Sequence, residues 1–95
     1  MINTNKFEIE RKFSKIENLQ KEHYITYAIF KQENGVLITV TSKASGKTLS
    51  SKCLCPNLSV EKAQNIVTLL SENSFGINNW LNIIEDLEID YVKIN

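Results

Sequence analysis

A predicted β-hairpin over residues 23–41 constrains the fold more than any other feature of the chain. Two runs rich in β-branched and aromatic residues, HYITYAIFKQE and VLITVT, flank the pair Asn34-Gly35. This pair favours a type I′ turn, because both central residues of that turn need a positive φ. With a two-residue loop we expect Glu33 opposite Val36 and Lys31 opposite Ile38. One face of the hairpin, which we predict to be the core face, then carries Tyr27, Ile29, Val36, Ile38 and Val40.

The opposite face of the predicted hairpin is mixed and partly apolar. It carries Tyr24, Thr26, Ala28, Phe30, Leu37, Thr39 and Thr41. A face of this composition can be covered by another element or by a partner.

Two more strands extend the hairpin. A second turn at Ser45-Gly46 leads into TLSSKCLC, and a two-residue loop there places Cys53 opposite Ile38 and Ser51 opposite Val40, until Pro56 ends the strand. Residues 6–13 alternate with Phe7, Ile9, Arg11 and Phe13 in one phase, which favours a strand with one basic residue facing inward. A helix over residues 5–20 is the alternative, because Phe13, Ile16 and Leu19 recur at helical spacing.

The second half of the chain predicts helices. Ser59 is a suitable N-cap for a helix whose apolar stripe comprises Val60, Ala63, Ile66, Val67 and Leu70. Residues 73–76 break this helix, and a second stripe follows with Ile77, Trp80, Leu81, Ile84 and Leu87. Residues 88–95 form either a short strand or an ordered tail. The predicted fold class is therefore α+β: one domain over residues 1–95, with an antiparallel β-meander of three to four strands and two C-terminal amphipathic helices packed on one face.

Charge is distributed unevenly along a chain whose formal net charge is zero. Residues 1–52 contain nine basic and five acidic residues, and residues 53–95 contain two basic and six acidic ones. Such asymmetry indicates either two partners or two faces that attract each other. The N-terminal residues lack the apolar core of a signal peptide and apolar runs are short, so we expect a cytoplasmic protein that does not enter a membrane.

The candidate chemical motifs favour structural roles. Gly46-Lys47-Thr48 ends like a phosphate-binding loop, but the first glycine of that pattern is missing and a strand pattern follows it. Cys53 and Cys55 stand two apart on one strand, at the limit of disulfide geometry, and are expected to be buried thiols. The single histidine, His23, leaves too few ligands for a typical zinc site. We therefore predict no catalytic residue, no metal and no cofactor, and hence no enzyme.

Two sets of residues are candidates for binding. The first would contact another protein or a second copy of the chain through the outer hairpin face, the acidic end of the last helix and a tryptophan that is expected in the core but would anchor an interface if exposed: Tyr24, Phe30, Leu37, Trp80, Glu85 and Asp86. The second would contact nucleic-acid phosphates: Arg11, Lys12, Lys43, Lys47 and Lys52. Protein binding is favoured, because the chain is neutral and direct base contacts favour arginine over lysine.

Residues 60–87 also carry a resemblance. A sheet followed by a helix of the form NIVTLLSEN, a short break, and a helix closing on NIIEDL resembles a family of roughly hundred-residue proteins of spore-forming anaerobic bacteria, a family without an established activity. The resemblance implies the same architecture and a bacterial cytosolic location. It implies no site residue.

Overall fold

A computed structural model describes residues 6–13 and 22–94 of the chain. Its elements, in chain order, are β1 (Lys6–Phe13), β2 (His23–Gln32), β3 (Gly35–Ala44), β4 (Lys47–Cys55), α1 (Val60–Glu72), α2 (Trp80–Asp86) and β5 (Val92–Ile94). Within these residues the strands form one five-stranded antiparallel sheet in the order β1-β2-β3-β4-β5. In the same part of the chain, no helix has the length and apolarity needed to cross a bilayer.

The predicted α+β meander with amphipathic helices is confirmed, but the expected count of three to four strands was too low. Both uncertain chain segments add a strand to the sheet: residues 6–13 pair with β2, and Val92–Ile94 pairs with β4. A helix over residues 5–20 is therefore wrong for residues 6–13, and residues 14–20 lie outside the described part of the chain. The alternation of apolar and polar residues, rather than the helical spacing, decided the structure of the N-terminal segment.

The hairpin of β2 and β3 has a register two residues away from the predicted one. Lys31 lies opposite Val36 and the loop consists of Glu33 and Asn34, neither of which has a positive φ. Gly35 instead begins β3, with a φ of +142°. A Cβ atom at Gly35 would lie 2.5 Å from the carbonyl oxygen of Cys55. The glycine is thus needed for close approach of two backbones, and because a shift of two residues preserves the side-chain phase, the predicted core face is still correct.

The turn between β3 and β4 has the predicted geometry. Ser45 and Gly46 both have a positive φ, at 50° and 79°. Cys53 lies opposite Ile38 and Ser51 lies opposite Val40, as expected. Two successive positive φ values match the right-handed twist of the flanking strands, which favours a two-residue hairpin loop.

The core lies between one face of the sheet and the two described helices. From the sheet it takes Ile25, Tyr27, Ile29, Val36, Ile38, Val40, Cys53 and Cys55, and from the helices Ala63, Ile66, Val67, Leu70, Trp80 and Ile84. The Oγ atom of Ser59 accepts a hydrogen bond of 3.2 Å from the amide of Lys62 and so caps α1 as predicted. Full burial of each large apolar side chain stabilises the fold by about 1.5–3 kcal/mol.

Arg11 joins the first strand to the end of α1. Its Nη1 atom donates a hydrogen bond of 2.6 Å to the carbonyl oxygen of Ser71, which lies in the last turn of that helix. The last turn of α1 contains no basic residue, so the guanidinium supplies the cation that a helix C-terminus favours. Nearby, the Tyr27 hydroxyl donates a hydrogen bond of 2.5 Å to the carbonyl oxygen of Phe75, just beyond the helix.

Candidate interaction surface

The side of the sheet turned away from α1 and α2 carries an apolar row. We call this side the outer face. Four residues in lateral register cross neighbouring strands β2 to β5 there: Phe30 lies opposite Leu37, Leu37 opposite Leu54, and Leu54 opposite Val92. Side chains directly opposite each other on neighbouring strands have Cβ atoms about 4.5–5.5 Å apart and therefore touch. These four residues form a continuous ridge, which we call the apolar row.

Part of the apolar row is well exposed. Val92 is 56% exposed, and its neighbour in phase, Ile94, is 37% exposed, whereas Phe30, Leu37 and Leu54 are half-buried. Phe30 and Leu37 were predicted to belong to this surface, whereas Leu54, Val92 and Ile94 were not. The alternation in EIDYVKIN places Val92 and Ile94 in one phase, and this signal would have identified them if the strand had been assigned.

Charges of both signs lie on the outer face. Glu8, Glu10 and Lys12 are exposed on β1 at one side, and Lys43 and Lys52 are exposed on β3 and β4 toward the other. Glu8 and Lys52 occupy the same lateral row, which runs from Glu8 through Ala28 and Thr39 to Lys52. The outer face is thus an apolar ridge beside a row that begins with an acid and continues to a base.

The basic residues predicted to contact nucleic acid do not share one surface. Arg11 lies in the inward phase and binds the end of α1, so its assignment to a nucleic-acid surface was wrong. Lys12 forms an ion pair with Glu22 at 3.0 Å, and this partner raises the pKa of the Lys12 ammonium. Lys47 begins β4 directly after the hairpin turn, and its register places it on the same face of the sheet as the core residues. Lys43 and Lys52 remain as exposed lysines of the outer face that no described acid contacts.

The residues predicted to contact a protein are also divided. Tyr24, Phe30 and Leu37 share the outer face, with Tyr24 toward its opposite end on β2. Trp80 is completely buried, which confirms the expectation of a core residue and corrects its alternative role as an interface anchor, because the tryptophan packs in the core between α2 and the sheet. Glu85 and Asp86 are exposed on α2, on the other side of the sheet.

Glu85 is engaged within its own region of the chain. Its Oε2 atom accepts a hydrogen bond of 2.6 Å from the hydroxyl of Tyr91. This bond to the carboxylate raises the pKa of the Tyr91 hydroxyl. The contact attaches the segment before β5 to the end of α2, and so helps to position Val92 on the outer face.

The cysteines are core side chains. The Sγ atoms of Cys53 and Cys55 are 3.8 Å apart and both residues are completely buried. A hydrogen bond with Cys55, together with burial, raises the pKa of the Cys53 thiol. The same hydrogen bond lowers the pKa of the Cys55 thiol, so the shifts reflect one contact inside the core. Within the described residues, no group of three or more His, Cys, Asp or Glu side chains is arranged to hold a metal ion.

His23 and the Gly46-Lys47-Thr48 segment have local structural roles. The His23 ring stacks on the Phe13 ring, with centroids 4.7 Å apart, where β1 and β2 pair at one end of the sheet. Gly46 completes the hairpin turn, and Lys47 and Thr48 begin β4 rather than a helix. The segment therefore lacks the helix N-terminus that a phosphate-binding loop requires.

A hollow of about 480 Å³ lies between α1 and the segment that follows α2. Its lining combines Leu58, Ile66 and Ile89 with Lys62, Glu88 and other polar residues. None of the residues described around this hollow is a histidine, cysteine, serine or tyrosine.

No family model, curated protein or solved structure matches the chain. The resemblance over residues 60–87 stays a prediction.

Proposed function

We propose that this chain is a non-enzymatic protein-interaction module, a small cytoplasmic regulator or accessory protein that binds a protein through the outer face of its sheet. The observation that carries this proposal is the apolar row. Phe30, Leu37, Leu54 and Val92 lie side by side on four adjacent strands, and the helices pack on the other side. Contiguous exposed apolar surface rimmed by polar residues is typical of protein-binding sites.

The surroundings of the apolar row also support protein binding. The next row begins with the charged Glu8, continues through the small or polar residues Ala28 and Thr39 to the charged Lys52, and ends with Ile94. Protein interfaces commonly combine an apolar centre with a polar rim that fixes orientation. A surface built only for nucleic-acid phosphates would not place Glu8 and Glu10 on the adjoining strand, because those acids repel phosphates.

The chemistry of the interior supports a role without catalysis. Both thiols are completely buried in the core. His23 stacks on Phe13 at a sheet end, whereas Cys53 lies opposite Ile38. A Cys/His pair would need the two side chains within hydrogen-bond reach.

Site-specific photo-crosslinking tests the proposed function. A photoreactive amino acid is introduced at Leu37 on the outer face and, as the matched control, at Leu69, which is 38% exposed on α1. Both proteins are expressed in the cell that naturally makes this chain. We expect covalent protein adducts from position 37 that disappear with Leu54→Glu, and few from position 69. Equal yields at both positions, or no adduct at 37, would contradict the proposal.

The second candidate is a nucleic-acid-associated factor. Lys43 and Lys52 are both exposed on the outer face of the neighbouring strands β3 and β4, which favours phosphate contact at that side. Binding to duplex and single-stranded DNA is measured across a salt series. This candidate predicts binding that weakens steeply as salt rises and that is lost in Lys43→Ala with Lys52→Ala; no binding at low salt removes it.

A further inference from the structure

We propose that the protein that covers the outer face is a second copy of this chain, packed face to face about a two-fold axis that runs parallel to the strands between β2 and β3. This inference rests on the proposed function, because it names the partner for the same surface. It is drawn from the lateral register of the sheet and from the signs of the charges along one row.

The register determines which residues would meet. A two-fold axis in this position carries β1 onto β4 and β2 onto β3 of the second copy, and it leaves each lateral row at the same height along the strands. In the row Glu8, Ala28, Thr39, Lys52, the acid of one copy then faces the lysine of the other. Because the interface is isologous, the same pair forms twice.

The centre of the apolar row is also self-complementary about this axis, whereas Leu54 then faces β1 and Val92 on β5 lies outside the overlap. Phe30 lies on β2 and Leu37 directly opposite it on β3, so each faces the other residue type in the second copy. An aromatic ring against a branched aliphatic side chain is a good cross-sheet contact. At the far end of β2, Tyr24 lies opposite Lys43, and the axis brings the ring of one copy over the ammonium of the other.

The other in-plane axis is less favourable. A two-fold axis perpendicular to the strands would place β1 of one copy on β1 of the other. If this axis passed midway between the rows of Glu8 and Glu10, Glu8 of each copy would face Glu10 of the other. Like charges juxtaposed across an interface oppose binding. The axis parallel to the strands instead faces Glu10 with Ser50 and Lys12 with Thr48, and brings no like charges together among these residues.

The area of overlap is limited to the four strands β1 to β4, because the axis leaves β5 outside it. Strands about 4.8 Å apart and rows about 6.8 Å apart give this overlap a footprint of about 19 by 27 Å, or on the order of 500 Å² per copy. Two copies then bury about 1,000 Å², which is the size of a weak, concentration-dependent interface.

Charge exchange between copies tests the inference. Glu8→Lys and Lys52→Glu are purified separately, and self-association is measured by sedimentation over a concentration series. Each single variant places two like-charged pairs across the axis, so we expect dimerisation at least about tenfold weaker than in the wild type. In an equimolar mixture, the new lysine at position 8 meets the new glutamate at position 52, while the unchanged Lys52 and Glu8 also meet. We therefore expect a heterodimer of restored affinity.

Each outcome decides the question. Association of the mixture without association of either variant alone supports the reciprocal pairing. A monomeric wild type at all concentrations overturns the inference, as does dimerisation unaffected by either variant. If the inference is overturned but crosslinking at position 37 captures a different protein, the proposed function stands. If crosslinking at position 37 gives no protein adduct at all, both the proposed function and this inference are removed. Circular dichroism and thermal unfolding of the two variants check that each folds.

Discussion

Gly35→Ala tests the hairpin register directly. In the observed register Gly35 begins β3 with a φ of +142°, and an added Cβ would lie 2.5 Å from the Cys55 carbonyl oxygen and 2.7 Å from the Pro56 Cα. Both neighbours are backbone atoms, so the clash can be relieved only by moving β3 away from the end of β4. Backbone strain in this φ region costs about 1–3 kcal/mol and overpacking costs a further 1–3 kcal/mol.

The matched control is Gly46→Ala. Gly46 also has a positive φ, 79°, but an added Cβ would meet nothing within 4 Å. Its substitution should cost only the left-handed backbone penalty of about 1 kcal/mol. The two glycines therefore differ in close contact, and their variants separate a turn requirement from a packing requirement.

Thermal and urea unfolding of the two variants measure the difference. Since 1 kcal/mol shifts Tm by about 4–8 °C in a domain of this size, we expect Gly35→Ala to lose at least about 8 °C, and about twice as much as Gly46→Ala or more, which should lose about 4–8 °C. If Asn34-Gly35 were instead the centre of a type I′ turn, both substitutions would cost about the same. Equal losses would therefore refute the register and the close approach of Gly35 to Cys55.

Three further predictions concern stability. Arg11→Met should lower the free energy of unfolding by about 1–2 kcal/mol, because the carbonyl oxygen of Ser71 loses a charged hydrogen-bond donor. Lys12→Met, which removes only an exposed ion pair, should have little effect. Urea titration of the two variants measures the difference. Ser74→Gly should raise the free energy of unfolding by about 0.5–1 kcal/mol, because Ser74 follows α1 with a φ of 57°; an unchanged midpoint would contradict this. Burial raises the pKa of the Tyr27 hydroxyl, so as the pH rises the unfolded chain loses this proton before the folded chain does. The free energy of unfolding should therefore fall above about pH 10, and it should fall less steeply in Tyr27→Phe. The same slope of stability against pH in both proteins would refute this.

The sequence predicted the sheet and its core face because these depend on local patterns. Alternating apolar residues determine which side of a strand is buried, and an error of two residues in register leaves that side unchanged, as Ile29 and Ile38 show. Ser45-Gly46 was correctly predicted as a turn because its backbone requirement is local. Asn34-Gly35 misled because Gly35 serves a contact with Cys55, twenty residues away along the chain, that no local pattern encodes.

The candidate surface was predicted only in part. Phe30 and Leu37 were found because they share a hairpin, whereas Leu54 and Val92 join them only once β4 and β5 take their places in the sheet. Arg11 was assigned to the wrong role because its partner, the end of α1, is sixty residues away along the chain. A basic residue in the inward phase of a strand is, in retrospect, a signal for such a contact.

Lysine footprinting tests the central claim, that the outer face is the surface this protein uses for binding. Acetylation rates at Lys52 on the outer face and at Lys62, exposed on α1, are compared by mass spectrometry between the wild type and Leu37→Glu in extract of the cell that makes the chain. We expect Lys52 to react more slowly in the wild type than in the variant, and Lys62 to react equally in both. Equal rates at Lys52 in the two proteins, or protection at Lys62 instead, would contradict the account.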